Sequence, residues 1–218
     1  MTKRVALLVE GQTEEAFVAR VLQPYIGFET ATLTPIVVHT SRTANGTTFR
    51  GGGYWKHYDK QLRMLLSQPH WDRVTTLIDF YGYPADAPPC SCPAAHNQPS
   101  CVASREANIA ASLPYDSRFL PFVALHEFET LVIAAGATMS DVLGDVDAPS
   151  RFAALLDEHD GDAEQINNGP QTAPSKRVLE VLPDYRKVRD GVSVLEGRLP
   201  RALPSASRFA AWIAALSI

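Results

Sequence analysis

The sequence predicts an α/β protein with a mostly parallel central sheet flanked by helices. Short apolar runs alternate with amphipathic helical patterns as far as Ala134, and from Ser140 onward only helical or loop patterns follow. Such alternation is typical of parallel sheets, because a helix usually connects successive parallel strands. We therefore expect a core over residues 1–137, with a cysteine-rich loop at 84–101. A helical extension over 138–218 should pack on this core within one compact domain.

The first four elements follow from local patterns. Lys3–Val9 is a short apolar run that ends before Gly11, as in a buried parallel strand. Thr13 is positioned to cap the next helix, and Pro24 to end it. Leu33 to His39 has the pattern of a second strand. The polar, glycine-rich segment from Ser41 to Gly53 is expected to be a loop.

The later elements follow in the same way. Tyr54 to Ser67 has a helical apolar face, and the β-branched run from Arg73 to Phe80 predicts a third strand. Phe119 to Leu125 predicts a fourth strand, with a helical stretch directly after it. The remaining expected segments are a loop at 81–100, helices at 105–112, 151–159, 175–182 and 208–216, and a loop at 167–174.

Composition limits the class of protein. The chain has 218 residues, of which 45% are hydrophobic and 20% charged, enough for a substantial core. The net charge of −4 argues against a generally basic nucleic-acid coat protein. No apolar run reaches the ~18 residues of a membrane helix. The first apolar run stops at Glu10, too early for a signal peptide. We expect a cytoplasmic protein without membrane contact.

Acidic residues follow three of the predicted strands. Glu10 ends the first strand, Asp79 lies at the end of the third, and Glu127 comes just after the fourth, while Glu14 and Glu129 are close in sequence. The carboxyl ends of parallel strands share one edge, where open α/β folds bind ligands. Converging carboxylates repel one another unless a cation or a proton offsets them, and Mg²⁺ prefers such oxygen ligands. Alternatively, each acid serves solubility or helix capping.

Four segments together carry a resemblance to a known family. They are 9–14 (Val-Glu-Gly-Gln-Thr-Glu), 77–81 (Leu-Ile-Asp-Phe-Tyr), 126–129 (His-Glu-Phe-Glu) and 169–177 (Gly-Pro-Gln-Thr-Ala-Pro-Ser-Lys-Arg). The first resembles the Glu-Gly-x-Thr/Ser-Glu motif of Toprim domains, especially those of OLD-family nucleases. The ordered set is similar to a bacterial Toprim-like family that is often encoded near ATPases in defence gene neighbourhoods.

The resemblance implies a Toprim-like (Rossmann-like) fold, a Mg²⁺ or Mn²⁺ site and phosphodiester hydrolysis. It assigns metal binding to Glu10 and Asp79, with Glu14 assisting. Tyr81 stands where the parent motif has a second aspartate. Glu127 or Glu129 replaces that ligand, or the site is weaker, or catalysis is lost.

Basic residues and one histidine are candidates for substrate contact. Lys176 at a helix start is a candidate phosphate ligand, with Arg177 assisting. Lys187 belongs to a basic stretch, with Arg186 and Arg189, that is suited to a nucleic-acid backbone. His126 is a candidate general base or orienting group. The alternative is an ordinary solvated surface for the basic residues and a packed, hydrogen-bonded role for the histidine.

Cys90, Cys92, His96 and Cys101 form the ligand set of a Cys₃His structural zinc site. Their Cys-x-Cys spacing is tighter than the usual Cys-x₂-Cys. The alternative is a reduced loop or one labile disulfide. An odd number of cysteines without a secretion signal indicates a reducing compartment.

Three functions fit these observations. The first is a metal-dependent nuclease, with DNA favoured over RNA as its substrate, or a nuclease-like subunit of a defence complex. The sequence has no Walker A motif, so ATPase activity would belong to a partner protein. The second is a non-catalytic module that binds nucleic acid or protein. The third is hydrolysis of a phosphate ester in a small nucleotide.

Overall fold

A parallel sheet lies at the centre of the fold. The structure is a computed structural model that describes residues 2–42, 48–50, 53–90, 99–125, 127–166 and 172–217. Its strands are β1 (Lys3–Val9), β2 (Ala31–Val37), β3 (His39–Arg42), β4 (Thr48–Arg50), β5 (Arg73–Asp79), β6 (Phe119–Leu120) and β7 (Val123–Ala124). The sheet order is β2-β1-β5, with β6 and β7 both pairing with β5, and every pairing is parallel. This confirms the predicted mostly parallel sheet.

Helices cover both faces of the sheet. They are α1 (Gln12–Phe17), α2 (Gln23–Ile26), α3 (Trp55–Leu66), α4 (Pro99–Ala111), α5 (Glu129–Gly136), α6 (Ala148–Asp157), α7 (Pro174–Val181), α8 (Val192–Leu195), α9 (Leu199–Ala202) and α10 (Ser207–Leu216). A π-helical segment, Val18–Leu22, joins α1 to α2, and another, Lys187–Gly191, precedes α8. None of the described helices combines the length and apolarity needed to cross a bilayer.

The core has one part on each face of the sheet. Alternate residues of β1 point to opposite faces, as the two-residue period of a strand requires. Val5, Leu7 and Val9 pack with α1, α5 and the C-terminal helices, whereas Ala6 and Leu8 pack with α3 and α4. The helices after residue 138 therefore share one hydrophobic cluster with the sheet.

Helix α5 is the centre of the C-terminal packing. All eight of its residues are buried, and it contacts α6, α7, α8 and α9. Gly136 lets α6 approach closely, because an added Cβ would lie 2.6 Å from the Phe152 ring. This packing positions the first turn of α5, which carries Glu129, behind the carboxyl edge of the sheet.

The predicted fourth strand is interrupted. Pro121 lies between β6 and β7, where its ring nitrogen has no hydrogen to donate to a ladder. The Thr76 hydroxyl accepts a hydrogen bond from the Phe122 amide and donates to the Phe122 carbonyl, both at 2.8 Å. The Thr75 hydroxyl donates to the Leu120 carbonyl and accepts from the Trp212 indole. These side chains replace missing ladder bonds and attach α10 to the sheet.

Several predicted element boundaries were wrong. The second strand lies two residues earlier than expected. Strand β3 begins at His39 and pairs antiparallel with β4, so strands occupy part of the expected loop at 41–53. Gly11, not Thr13, is the N-cap of α1. Pro24 lies in the first turn of α2, where proline is tolerated, and the helix continues to Ile26. Helix α4 begins at Pro99, so Cys101 is helical.

Candidate functional site

The predicted strand-end acids come together at the carboxyl edge of the sheet. Glu10 directly follows β1, and Asp79 is the last residue of β5. The Asp79 amide donates to Glu10 Oε2 at 3.4 Å. Asp79 pairs with Ala124 in β7, which places Glu127 three residues beyond the same edge. The parallel register therefore joins segments that are far apart in sequence.

A cleft of about 530 Å³ opens at this edge. Residues from the β1–α1 turn, the end of β5 and the Lys187–Gly191 segment line it. They are Glu10, Gly11, Gln12, Thr13, Glu14, Asp79, Tyr81, Gly82, Glu127, Lys187 and Val188. We call the carboxyl groups of Glu10, Glu14, Asp79, Glu127 and Glu129 the acidic cluster. Four of them line the cleft, and Glu129 lies behind it.

Lys187 places its ammonium group among three of these acids. Its Nζ lies 3.1 Å from Asp79 Oδ2, 3.4 Å from Glu129 Oε2 and 3.8 Å from Glu14 Oε1. Asp79, Glu14 and Glu129 are buried, while the Lys187 side chain is 36% exposed. Lys187 was predicted to contact substrate phosphate, but its partners in this structure are carboxylates.

Burial and mutual repulsion raise the pKa values of four acids of the cluster, Glu10, Glu14, Asp79 and Glu129. Burial, then Asp79 and Glu14, raise the pKa of Glu10 to about 7. Burial is also the main cause that raises the pKa of Glu129 to about 7, against the lowering effect of Lys187. The pKa values of Glu14 and Asp79 are raised as well, again mainly by burial. Each group would release its proton more readily if a further cation were present.

Three buried polar atoms at the site have no hydrogen-bond partner among the described residues. They are Asp79 Oδ1, Glu129 Oε2 and the Tyr58 hydroxyl. Tyr58 is fully buried on α3, and its pKa is raised by burial and by the charges of Glu10, Glu14 and Asp79. Unpaired buried polar atoms are uncommon in native proteins and call for a physical reason. In the sequence, Tyr58 belongs to the apolar face of the helix predicted from Tyr54 to Ser67, which gives no sign of a place near the acids.

The donor chemistry of the cluster fits a hard divalent cation. Carboxylate oxygens are the preferred ligands of Mg²⁺ and Mn²⁺, and the unpaired Asp79 oxygen has a free lone pair for such an ion. In the present arrangement, no three His, Cys, Asp or Glu side chains of the described residues form a ready metal-binding group. The carboxylates surround the Lys187 ammonium instead.

The other predicted site residues have different surroundings. Glu127 Oε2 accepts a hydrogen bond from the Ser175 amide at 2.9 Å, in the first turn of α7. Lys176 is exposed on α7 and does not line the cleft. Arg177 pairs with Glu180 at 3.0 Å along the same helix. His126 lies outside the described residues.

Half of the proposed zinc ligands are described. Cys90 is half-buried, and Cys101 is buried in α4. Cys92 and His96 lie outside the described residues, so the zinc site stays a prediction. The Arg189 guanidinium, part of the predicted basic stretch, pairs with Asp190.

Replacing Gly82 by alanine should disturb the Glu10 carboxylate. The Glu10 side chain lies directly over Gly82, and an added Cβ would overlap its carboxyl atoms. We expect Mn²⁺ affinity, measured by calorimetry, to fall at least about tenfold, as for loss of ligand orientation in other metal sites. Gly11→Ala is the control, because its added Cβ would lie 3.3 Å from Glu14 Oε2 and needs only a small adjustment. Equal affinities in both variants would contradict this role for Gly82.

Comparison with known proteins gives one match. A family model described as "Domain of unknown function (DUF4276)" matches residues 9–217. No curated protein and no solved structure matches the chain. The matched range includes every acid of the cluster and Lys187, so the site lies within the unit that defines the family.

Proposed function

The chain belongs to the DUF4276 family, and we propose that it is a metal-dependent hydrolase of phosphodiester bonds, with a Toprim-like fold. The convergence of Glu10, Glu14 and Asp79 on one sheet edge carries this proposal. These three acids line an open cleft, where the carboxylates outnumber the single ammonium group of Lys187. Raised carboxyl pKa values in a cleft are typical of functional sites, because burying repelling acids costs stability.

The residues that would hold Mg²⁺ or Mn²⁺ are Glu10, Glu14 and Asp79. Tyr81 stands where the Toprim motif has its second aspartate, and we assign the role of that missing ligand to Glu129. The reason is that Glu129 and Asp79 contact the same Lys187 ammonium group. A bound divalent ion supplies an acidified water and neutralises charge on a phosphoryl group. Glu127 serves as an acceptor for the first turn of α7 and fixes that helix beside the cleft.

The chain's own groups suit an extended phosphodiester better than a small nucleotide. The cleft is open on one side. Tyr81 and Val188 line it and are both partly exposed. An exposed aromatic ring gives an unpaired base a stacking surface. The substrate we propose is nucleic acid, with DNA favoured over RNA, and the resemblance to defence families adds an ATPase as partner protein.

A non-catalytic binding module is the second candidate. Lys187 already offsets part of the negative charge, and no ready metal-binding group exists among the described residues. In that case the sheet edge would bind nucleic acid or a protein partner without hydrolysis.

The test combines metal binding with hydrolysis. Mg²⁺ and Mn²⁺ are titrated by calorimetry into the wild type and into Glu10→Gln, and DNA, RNA and nucleotides are offered with each metal. We expect the wild type to bind metal and cleave DNA, and Glu10→Gln to bind at least about tenfold more weakly. Metal binding without cleavage would favour the binding module. Failure of the wild type to bind either metal would remove the basis of the proposal.

A further inference from the structure

The Lys187 ammonium occupies the position where the acids of three elements meet. Glu14 comes from α1, Asp79 from the end of β5 and Glu129 from α5, and all three lie within 3.8 Å of Nζ. Gathering carboxylates from separate elements is what a bound cation does in a metal site. Here a side chain of the same protein performs it.

We propose that Lys187 is a tethered competitor of the metal: its ammonium holds the acidic cluster together in the metal-free protein and must leave when a divalent cation enters. This inference rests on the proposed function, since it concerns the same site. It adds that the apparent metal affinity is set by an exchange of cations, and is lower than the carboxylates alone would give.

The contacts of Lys187 are suited to such an exchange. Only the 3.1 Å contact with Asp79 has the length of a normal hydrogen bond, while 3.4 and 3.8 Å are long. A divalent ion binds carboxylate oxygens at about 2.0–2.6 Å, far more closely. Two cations within a few ångströms repel each other, so the ammonium cannot stay once the ion is bound.

The single ammonium also leaves the site incompletely satisfied. Asp79 Oδ1 and the fully buried Tyr58 hydroxyl have no hydrogen-bond partner among the described residues. Glu10 forms no ion pair with a described residue, although it lies against Asp79. An occupant with more ligand positions than an ammonium group would engage Asp79 Oδ1 and the Glu10 carboxylate, which both lie at the cleft.

The ammonium has a path out of the cluster. The Lys187 side chain is 36% exposed and lines the open cleft beside the half-exposed Val188. The ammonium of a lysine lies at the end of a flexible four-carbon stem, so rotamer changes can move the charge into water without backbone movement.

The test measures Mn²⁺ binding by calorimetry without nucleic acid. Lys187→Met keeps the length of the stem and removes the charge, and we expect it to bind Mn²⁺ about tenfold more tightly than the wild type. Lys187→Arg keeps the charge and should bind no more tightly than the wild type. Lys176→Met, an exposed lysine on α7, is the matched control and should bind like the wild type.

A second measurement needs no substitution in the cluster, and so remains decisive if Lys187→Met does not fold. Lysine side-chain NMR of the wild type is followed during titration with Mg²⁺. The chain has five lysines, so single arginine substitutions at the other four, Lys3, Lys56, Lys60 and Lys176, assign their signals and leave that of Lys187. The Lys187 signal should move with metal occupancy, and the Lys176 signal should not.

The outcomes separate this inference from the proposed function. If the wild type binds Mn²⁺ but Lys187→Met binds equally or more weakly, or if the Lys187 signal is unmoved by bound Mg²⁺, the competition is refuted and the metal site stands. If only Lys187→Met binds metal, the competition holds and the metal-dependent function of the wild type fails. If neither binds, both are refuted.

Discussion

The metal-free protein should lose stability as the pH rises from about 5 to about 8, because carboxyl groups of the acidic cluster have raised pKa values. Those of Glu10 and Glu129 are raised from 4.5 to about 7. Between these values the folded protein holds protons that the unfolded chain releases, so the stabilisation is complete below about 4.5 and is lost as the pH passes about 7. Burial lowers the pKa of Lys187, but its carboxylate neighbours raise it by more, so the net pKa lies above the usual value for lysine. Lys187 therefore stays charged over this whole pH range.

The Glu10→Gln variant should lose less stability than the wild type between about pH 5 and about pH 8. One pKa unit corresponds to about 1.4 kcal/mol, and allowing for the partial exposure of Glu10 we expect its share to be about 1–2 kcal/mol. Urea unfolding of both proteins in EDTA, at about pH 5 and about pH 8, measures this change in the free energy of unfolding. Glu180→Gln is the control, because that acid lies on the surface and should leave the pH profile unchanged. A free energy of unfolding that is constant or rises over this range would show that the cluster is not strained.

The charges of neighbouring acids, rather than a raised pKa alone, distinguish the cluster from the ion pairs elsewhere in the described structure. Asp116 and Asp190 have lowered pKa values beside Arg118 and Arg189. Burial raises the pKa of Glu106, which pairs with Arg208 away from the site. For Glu10, the charges of Asp79 and Glu14 add to the effect of burial. Mn²⁺ should restore stability at about pH 8, by about 2.7 kcal/mol when its concentration is 100 times its dissociation constant.

The sequence was a good guide to the sheet, because hydrophobic patterning is local. The runs at 3–9 and 73–79 are apolar and bounded by acids or glycine, and both are central strands. The rule that parallel strands end at one edge then brought Glu10 and Asp79 together. Strands β3 and β4 were not predicted, because their mostly polar residues show no alternating apolar pattern.

The role of Lys187 was beyond prediction from one sequence. It lies 108 residues from Asp79, and only the packing of the C-terminal helices on the sheet decides that they meet. Its neighbours Arg186 and Arg189 made it resemble part of a solvated basic stretch. Tyr58 was missed for a related reason: its ring fits the apolar face of α3, and only the folded structure shows its hydroxyl near the acids.

Asp79→Asn should abolish high-affinity metal binding. Asp79 has the shortest contact with Lys187, its amide bonds Glu10, and its second oxygen is unpaired. Asparagine keeps the shape and one oxygen but removes the charge. We expect the Mn²⁺ dissociation constant, measured by calorimetry, to rise at least about 100-fold, since loss of a residue that only orients a metal ligand already costs about 10–100-fold in affinity. The thermal shift that Mn²⁺ gives to the wild type should disappear with it.

Folding and binding should respond to this change in opposite directions. In the metal-free protein at about pH 8, removing one of several repelling buried acids relieves repulsion, although Lys187 loses a partner. We therefore expect Asp79→Asn to unfold in urea at a concentration no lower than the wild type. Asp59→Asn, which affects only a surface pair with Arg63, should change neither metal binding nor stability appreciably. If Asp79→Asn binds Mn²⁺ normally, the acids do not form a metal site. If instead it loses metal binding and retains stability, the charge of Asp79 is kept for binding at the expense of the fold.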